Sequence, residues 1–193
     1  MERSISIIFL KSALPSVAAW NKEIARAGFD VELGSFEWEM HPKLWPVRMR
    51  SACSEVEMSF AQVGPVSVMV AMTANDSIAF LAAACAGVVL QRLTGGTLRD
   101  DGPEPVDPAE RMKDVRRAYF ALRLVEHFAK SAEPTLSLDQ PPLDRSETAE
   151  ERAEVLSLLL DDHVLISEAG DETQRFRMNK YLQTRLLDLL GVH

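Results

Sequence analysis

The stretch Asn75 to Gly96, NDSIAFLAAACAGVVLQRLTGG, limits what this chain can fold into more than any other. Asn75 or Asp76 can offer a side-chain oxygen to the free N–H groups of a helix start, and Gly95 or Gly96 can end the helix with φ > 0. Between them Ile78, Phe80, Leu81, Cys85, Val88, Val89 and Leu90 leave no polar face before Gln91 and Arg92. A helix that is apolar all round must be covered all round, with a sheet beneath it and another element above. Ala82, Ala83, Ala84, Ala86 and Gly87 let neighbouring backbone come close, which predicts a packed centre rather than a ligand cavity. The apolar run from Ile78 to Leu90 falls short of the ~20 residues that cross a bilayer, so it reads as a core helix.

The sequence before this helix reads as strands around one helix. Ser4 to Leu10 has the β-branched and aromatic content of a central strand. Pro15 suits a first helical position, Val17, Trp20, Ile24 and Ala27 share one helical face against Asn21, Lys22, Glu23 and Arg26, and Gly28 ends the helix. Phe29 to Leu33 alternates as a half-buried strand. From Gly34 to Arg50 the pattern breaks at Pro42 and Pro46, which predicts a loop. Alternation resumes over Glu55 to Val63 and Val66 to Met72, with Gly64-Pro65 as a tight hairpin and Gly64 in the φ > 0 position. Thr97 to Arg99 completes the set as a short strand. This order predicts an α+β fold, a ferredoxin-like antiparallel or mixed sheet over residues 1–100 with its helices on one face.

Asp100 to Val106, DDGPEPV, has the composition of an exposed linker, so a second, mainly helical part is expected over 107–193. Asp107, Pro108 and Glu110 mark its first helix, with Met112, Val115, Tyr119, Leu122 and Val125 on the apolar face. Thr148 with Glu151 forms a capping box for the next, whose apolar face is Val155, Leu156, Leu159 and Leu160. Val164 to Ile166 and Phe176 to Met178 read as a hairpin, and Tyr181 to Leu190 as a last helix. Helix, strand, turn, strand resembles the end of a winged helix, with Arg175 and Arg177 on the wing.

Charge argues against the DNA-binding role this pattern suggests. The chain of 193 residues carries a formal charge of −8, and a phosphate-neutralising surface needs the opposite sign. The helix after Thr148 is acidic outside its apolar face, where a groove reader would be basic. Cys53 and Cys85 form no disulfide framework, and the N-terminus has no cationic region ahead of a cleavage site, so reduced thiols, a cytoplasmic setting and no membrane association are expected. His41, His127, His163 and His193 lack metal-ligand spacing, and no phosphate loop, dinucleotide fingerprint or G-x-S-x-G is present. No metal and no cofactor are expected.

What remains is Phe36 to Arg50. Aromatic side chains with arginine in a loop are the composition of binding hot spots, so Trp38, His41, Trp45, Arg48 and Arg50 are the candidate binding residues, Trp38 being the one most suited to covering the sheet instead. The expected partner is another protein, with homo-oligomerisation open. The competing class is an enzyme using Cys53, next to Arg48 and Arg50, or a carboxylate pair drawn from Glu32, Glu37, Glu39, Glu55 and Glu57.

Phe9, Leu10, Lys11, Pro15, Trp20, Gly28, Phe29, Asp30 and Leu33 carry a resemblance over the first hundred residues. The chain resembles a family of small uncharacterised bacterial proteins with an F-L-K strand, a Trp-containing helix and a G-F-D-x-x-L strand. It departs from that pattern at Leu44-Trp45-Pro46, where the family has a Gly-Phe and Cys-containing turn. The resemblance implies no activity. The size and composition of such proteins resemble those of immunity or accessory proteins of bacterial toxin systems, which makes protein binding the expected role.

Overall fold

The computed structural model describes residues 3–35, 38, 43–49, 52–130, 136–137, 149–161, 163–168 and 175–179. The protein is α+β, and its chain divides into two compact units, Met1–Arg116 and Arg117–His193, with the division inside a helix.

In the first unit β1 (Arg3–Leu10), β2 (Val31–Leu33), β3 (Lys43–Met49), β4 (Ala52–Gln62), β5 (Ser67–Ala74) and β6 (Thr97–Asp100) form one antiparallel sheet in the order β2-β3-β4-β5-β1-β6. Alternation sorts the side chains as expected for a sheet covered on one face. Ile5, Ile7, Val56, Met58, Phe60, Val68, Val70 and Met72 are buried, and their strand neighbours are not. The ferredoxin-like order differs in the number of intervening strands. Here β3, β4 and β5 all separate β2 from β1.

The buried face carries α2 (Ser77–Thr94), the apolar helix of the sequence. Asp76 is its cap, Oδ1 accepting from the Ala79 N–H at 2.7 Å, and Gly95 ends it with φ 64°. Every residue from Ala82 to Leu90 is buried. A Cβ on Gly87 would meet the Ile5 side chain at 3.0 Å, so the absence of a side chain lets the helix settle on β1. Although α2 is long and apolar enough to cross a membrane, it is mostly buried within the protein. Above it lies α1 (Val17–Arg26), whose Trp20 and Ile24 are buried and whose Trp20 indole donates to the Ala86 carbonyl at 2.9 Å. The cap of α1 is Ser16, its Oγ accepting from the Ala19 N–H at 3.2 Å, so Pro15 precedes the cap rather than opening the helix. Gly28, at φ 88°, closes it.

Two sequence expectations are corrected here. The stretch from Gly34 to Arg50 is not all loop, because Lys43–Met49 is strand β3. Pro46 fits there because its carbonyl faces β2, accepting from the Gly34 N–H at 3.0 Å. In an antiparallel ladder the N and C=O of one residue point the same way, so the missing N–H faces the end of β2 and β4 loses no bond. The β4–β5 connection is the four-residue loop 63–66, in which Gly64 does not take a positive φ. The expected linker is exposed from Asp101 to Pro105, and its end is tied back to β6. The Val106 N–H donates to Leu98 O at 2.9 Å and Arg99 bridges Pro105, which covers the β6 edge.

The helix α3 (Pro108–Lys130) starts as expected, with Asp107 Oδ1 accepting from the Ala109 N–H at 2.8 Å, and contains the unit boundary. The second unit adds β7 (Leu136–Ser137), α4 (Ala149–Asp161), β8 (Leu165–Glu168) and β9 (Arg175–Met178). Its strands form a sheet in the order β7-β9-β8. Phe120, Leu124, Val155, Leu156, Leu165 and Phe176 are buried, and Arg117 pairs with Glu154 at 2.5 Å. At the end of α4 His163 holds φ 56°, the position a glycine usually takes. The capping residue Thr148 and the helix expected over Tyr181 to Leu190 lie outside the described residues.

Candidate interaction surface

Both helices of the first unit that pack on the sheet lie on one face, which leaves the residues between the buried ones pointing the other way. The register fixes which of these are neighbours. Ser59, Ala71, Ser6 and Arg99 form one row across β4, β5, β1 and β6. Ala61, Met69, Ile8 and Thr97 form the next. Further along, Leu10 is opposite Ser67 and is 55% exposed, and the β4–β5 loop holds Val63 and Val66 at 47% and 63%. Three of the five large exposed hydrophobic residues among those described therefore sit at this one end of the sheet. The opposite end of β4 is charged, with exposed Glu55 and Glu57.

Arg48 is on this face, directly across from Glu32 on β2, and the two form an exposed ion pair. Trp38 is not. Its ring stacks on Trp20 with centroids 6.1 Å apart and planes 10° from parallel, leans on Phe60 at 5.3 Å, and its indole donates to Pro15 O at 3.0 Å. That contact set makes Trp38 a cover over the helix-bearing side of the sheet. Trp45 lies in β3 opposite Val56, so the segment read as a prolyl loop places it at a strand position. His41 and Arg50 lie outside the described residues, as do Glu37 and Glu39. The candidate binding residues thus fall on different faces rather than forming one described cluster.

The described catalytic candidates hold neighbouring ladder positions, with Cys53, Arg48 and Glu32 in one row across β4, β3 and β2. Cys53 is opposite Arg48 in the ladder. Glu55 and Glu57 follow each other on the exposed side of β4, opposite Pro46 and Leu44, and Glu32 is opposite Arg48. No two of these described carboxylates are cross-strand partners. Cys85 is in the core, where burial pushes its thiol well above the usual range despite a backbone hydrogen bond and Arg111. That makes it an inert packing residue.

A charged cluster at the edge of the sheet was not legible in the sequence. Arg111 at the start of α3 pairs with Asp100 at 2.7 Å, each side chain only 16% exposed. Asp101 follows in the left-handed region at φ 49°, accepting from the Ser4 N–H at 2.6 Å and pairing with Arg3 at 3.0 Å. The Arg3 guanidinium lies 3.8 Å over the Phe80 ring. Burial raises the Asp100 carboxyl against the pull of Arg111, helped by the neighbouring Asp101 charge. Its Oδ1 is buried with no hydrogen-bond partner, which is the physical reason burial prevails. For Asp101 burial also acts upward, but the Ser4 N–H and Arg3 outweigh it and hold the group below the usual range. The cluster ties β1, β6 and the start of α3 together and is structural.

Comparison of the chain with protein-family models, with curated proteins and with solved structures finds no match. The functional reading therefore rests on geometry and charge alone. Among the described residues no group of three His, Cys, Asp or Glu side chains could hold a metal ion. The feature that stands out is the open sheet face.

Proposed function

We propose that the chain is a non-enzymatic, cytoplasmic protein-binding protein that docks its partner on the open face of the six-stranded sheet. The observation that supports this is the composition of that face. The adjacent strands β5 and β1 carry Met69, Ala71, Ser6 and Ile8 outward with no charge among them, beside a cluster of exposed Leu10, Val63 and Val66, while the charges of β4, Glu55 and Glu57, lie toward its other end. Faces left to water usually carry charged and long polar side chains, and an uncharged patch of this kind marks an interaction surface. The split pairing of β1 and β2 around intervening strands also fits a ferredoxin-like sheet enlarged by the β3–β4 hairpin. An immunity or accessory role would be one instance of this reading.

Co-purification tests it. The full chain is co-expressed with the products of adjacent genes, and wild type is compared with Met69→Lys. A stoichiometric partner that is lost with Met69→Lys, at unchanged melting temperature, is the expected result. Retention of the partner by Met69→Lys would move the interface away from this face.

The winged-helix regulator remains a second reading, favoured by one observation. A third strand, β7, pairs with β9 and gives the order β7-β9-β8 beside α4. Against it, Glu150, Glu154 and Asp161 are exposed on α4, where a groove reader would be basic. DNA affinity weaker than about micromolar at physiological salt is expected. A sequence-dependent gel shift abolished by Arg175→Ala with Arg177→Ala would reverse the choice.

A further inference from the structure

We infer that the occupant of the open sheet face is a second copy of this chain, in a two-fold homodimer. This rests on the protein-binding reading and names its partner.

Charge is the first support. The whole chain carries −8, so two copies repel each other over most of their surfaces. On this face the described charged side chains are Glu32, Glu55 and Glu57 against Arg48 and Arg99, a net of −1. A basic partner would be drawn to the surfaces that hold the remaining negative charge. A near-neutral face is one that a like-charged copy can meet without desolvating an uncompensated field.

Shape is the second. The centre of the face is built of small residues, Ser6, Ala71, Ser59 and Ala61, with the larger Ile8 and Met69 beside them. Small side chains let two sheets reach the spacing of about 10 Å at which inner faces interdigitate. Area is the third. The six strands differ in length, from three residues in β2 to eleven in β4, and at about 3.4 Å per residue and about 4.8 Å between strands they present on the order of 700 Å² per copy, close to the ~800 Å² per partner of a stable interface. The self-complementarity that a two-fold pair requires is met most simply by a face without a strong excess of either charge.

Sedimentation equilibrium on the full chain, from about 1 to 200 µM, tests the inference. Wild type should have the mass of two 21.5 kDa chains. Ala71→Arg sets two guanidinium groups against each other at the centre and should weaken dimerisation by at least about 100-fold. Ser6→Lys, on the neighbouring strand, should do the same, and an unchanged circular dichroism spectrum shows that each variant is folded. A wild type that stays monomeric throughout overturns the inference, and so does a dimer that survives both substitutions. If wild type is monomeric but a co-expressed partner is lost with Met69→Lys, the homodimer falls while protein binding stands. If it is monomeric and no partner depends on the face, both fall.

Discussion

Asn21 on α1 completes the edge of the sheet by pairing with the backbone of Leu33 in both directions. Its Nδ2 donates to Leu33 O and its Oδ1 accepts from the Leu33 N–H, each at 2.9 Å. The side-chain amide thus takes the place that a residue of a further strand would occupy beside β2. An open strand edge is a template for pairing with other chains, and a single amide with one donor and one acceptor removes it.

Asn21→Ala should therefore destabilise the protein by about 1–2 kcal/mol, the cost of leaving part-buried backbone groups unmet. Asn21→Asp should be worse at neutral pH than at pH 3, since an ionised carboxylate facing the Leu33 carbonyl only accepts. Urea melts at both pH values check this. Equal midpoints for Asn21→Ala and wild type would mean that water replaces the amide without loss.

Trp38 is expected to act on stability. Trp38→Ala removes the stack on Trp20, the contact with Phe60 and the bond to Pro15 O, and should cost about 2–3 kcal/mol. Trp38→Phe keeps the ring contacts and should cost about 1 kcal/mol. Thermal melts on both decide it. A Trp38→Ala protein as stable as wild type would return this residue to the list of binding candidates.

The adjacent glycines Gly95 and Gly96 are needed for different reasons. Gly95 holds φ 64° and has nothing within 4 Å of where a Cβ would sit, whereas a Cβ on Gly96 would lie 2.6 Å from Ile8 O and 2.9 Å from Phe9 Cβ. Gly95→Ala should cost about 1 kcal/mol, the left-handed penalty alone, and Gly95→Asn less. Gly96→Ala drives into backbone of β1 that is held by strands on both sides, and should cost about 3 kcal/mol. Denaturant unfolding of the pair tests the order, and the reverse ranking would refute the packing of β6 on β1.

These residues also show which parts of the structure could be read from sequence. The caps of α2, the alternation of β4 and β5 and the start of α3 were legible because each depends on residues within a few positions of one another. β3 was not, because Pro46 is harmless only when its nitrogen faces the short end of β2, and that depends on a partner 12 or more residues away. The helical pattern places Asn21 with Lys22, Glu23 and Arg26 on the face away from Ile24, and nothing local marks Leu33 as an edge. For the same reason alternation sorts the faces of β4 and β5 one strand at a time, whereas the grouping of Met69 and Ala71 with Ser6 and Ile8 of β1 needs the register. Trp38 and Arg48 looked like one binding cluster by composition, and the fold separates them.

Asp100 and Asp101 should push the pH dependence of stability in opposite directions. Burial holds the Asp100 carboxyl above the unfolded value of about 3.9, so the folded state takes up its proton first. Stability from this group rises as pH falls from its folded pKa toward ~3.9. Asp101 is held below that value by the Ser4 N–H and Arg3 against the effect of burial, so its contribution is present above ~3.9 and is lost as pH falls through its folded pKa. The variants separate the two. Relative to wild type, Asp100→Asn should fall further behind as the pH drops toward ~4, because it has no proton to gain there. Asp101→Asn should close its gap on wild type only below ~4, where wild type loses the charge that Arg3 and Ser4 hold. Both measurements are urea midpoints between pH 3 and 7 at fixed salt. Because the Asp101 side chain is 40% exposed, added salt should shrink its part of the profile more than that of Asp100, whose side chain is 16% exposed. Parallel profiles for wild type and both variants would show that neither carboxylate is coupled to folding, and that the Arg3–Asp101 and Arg111–Asp100 pairs are incidental to how β1, β6 and α3 are joined.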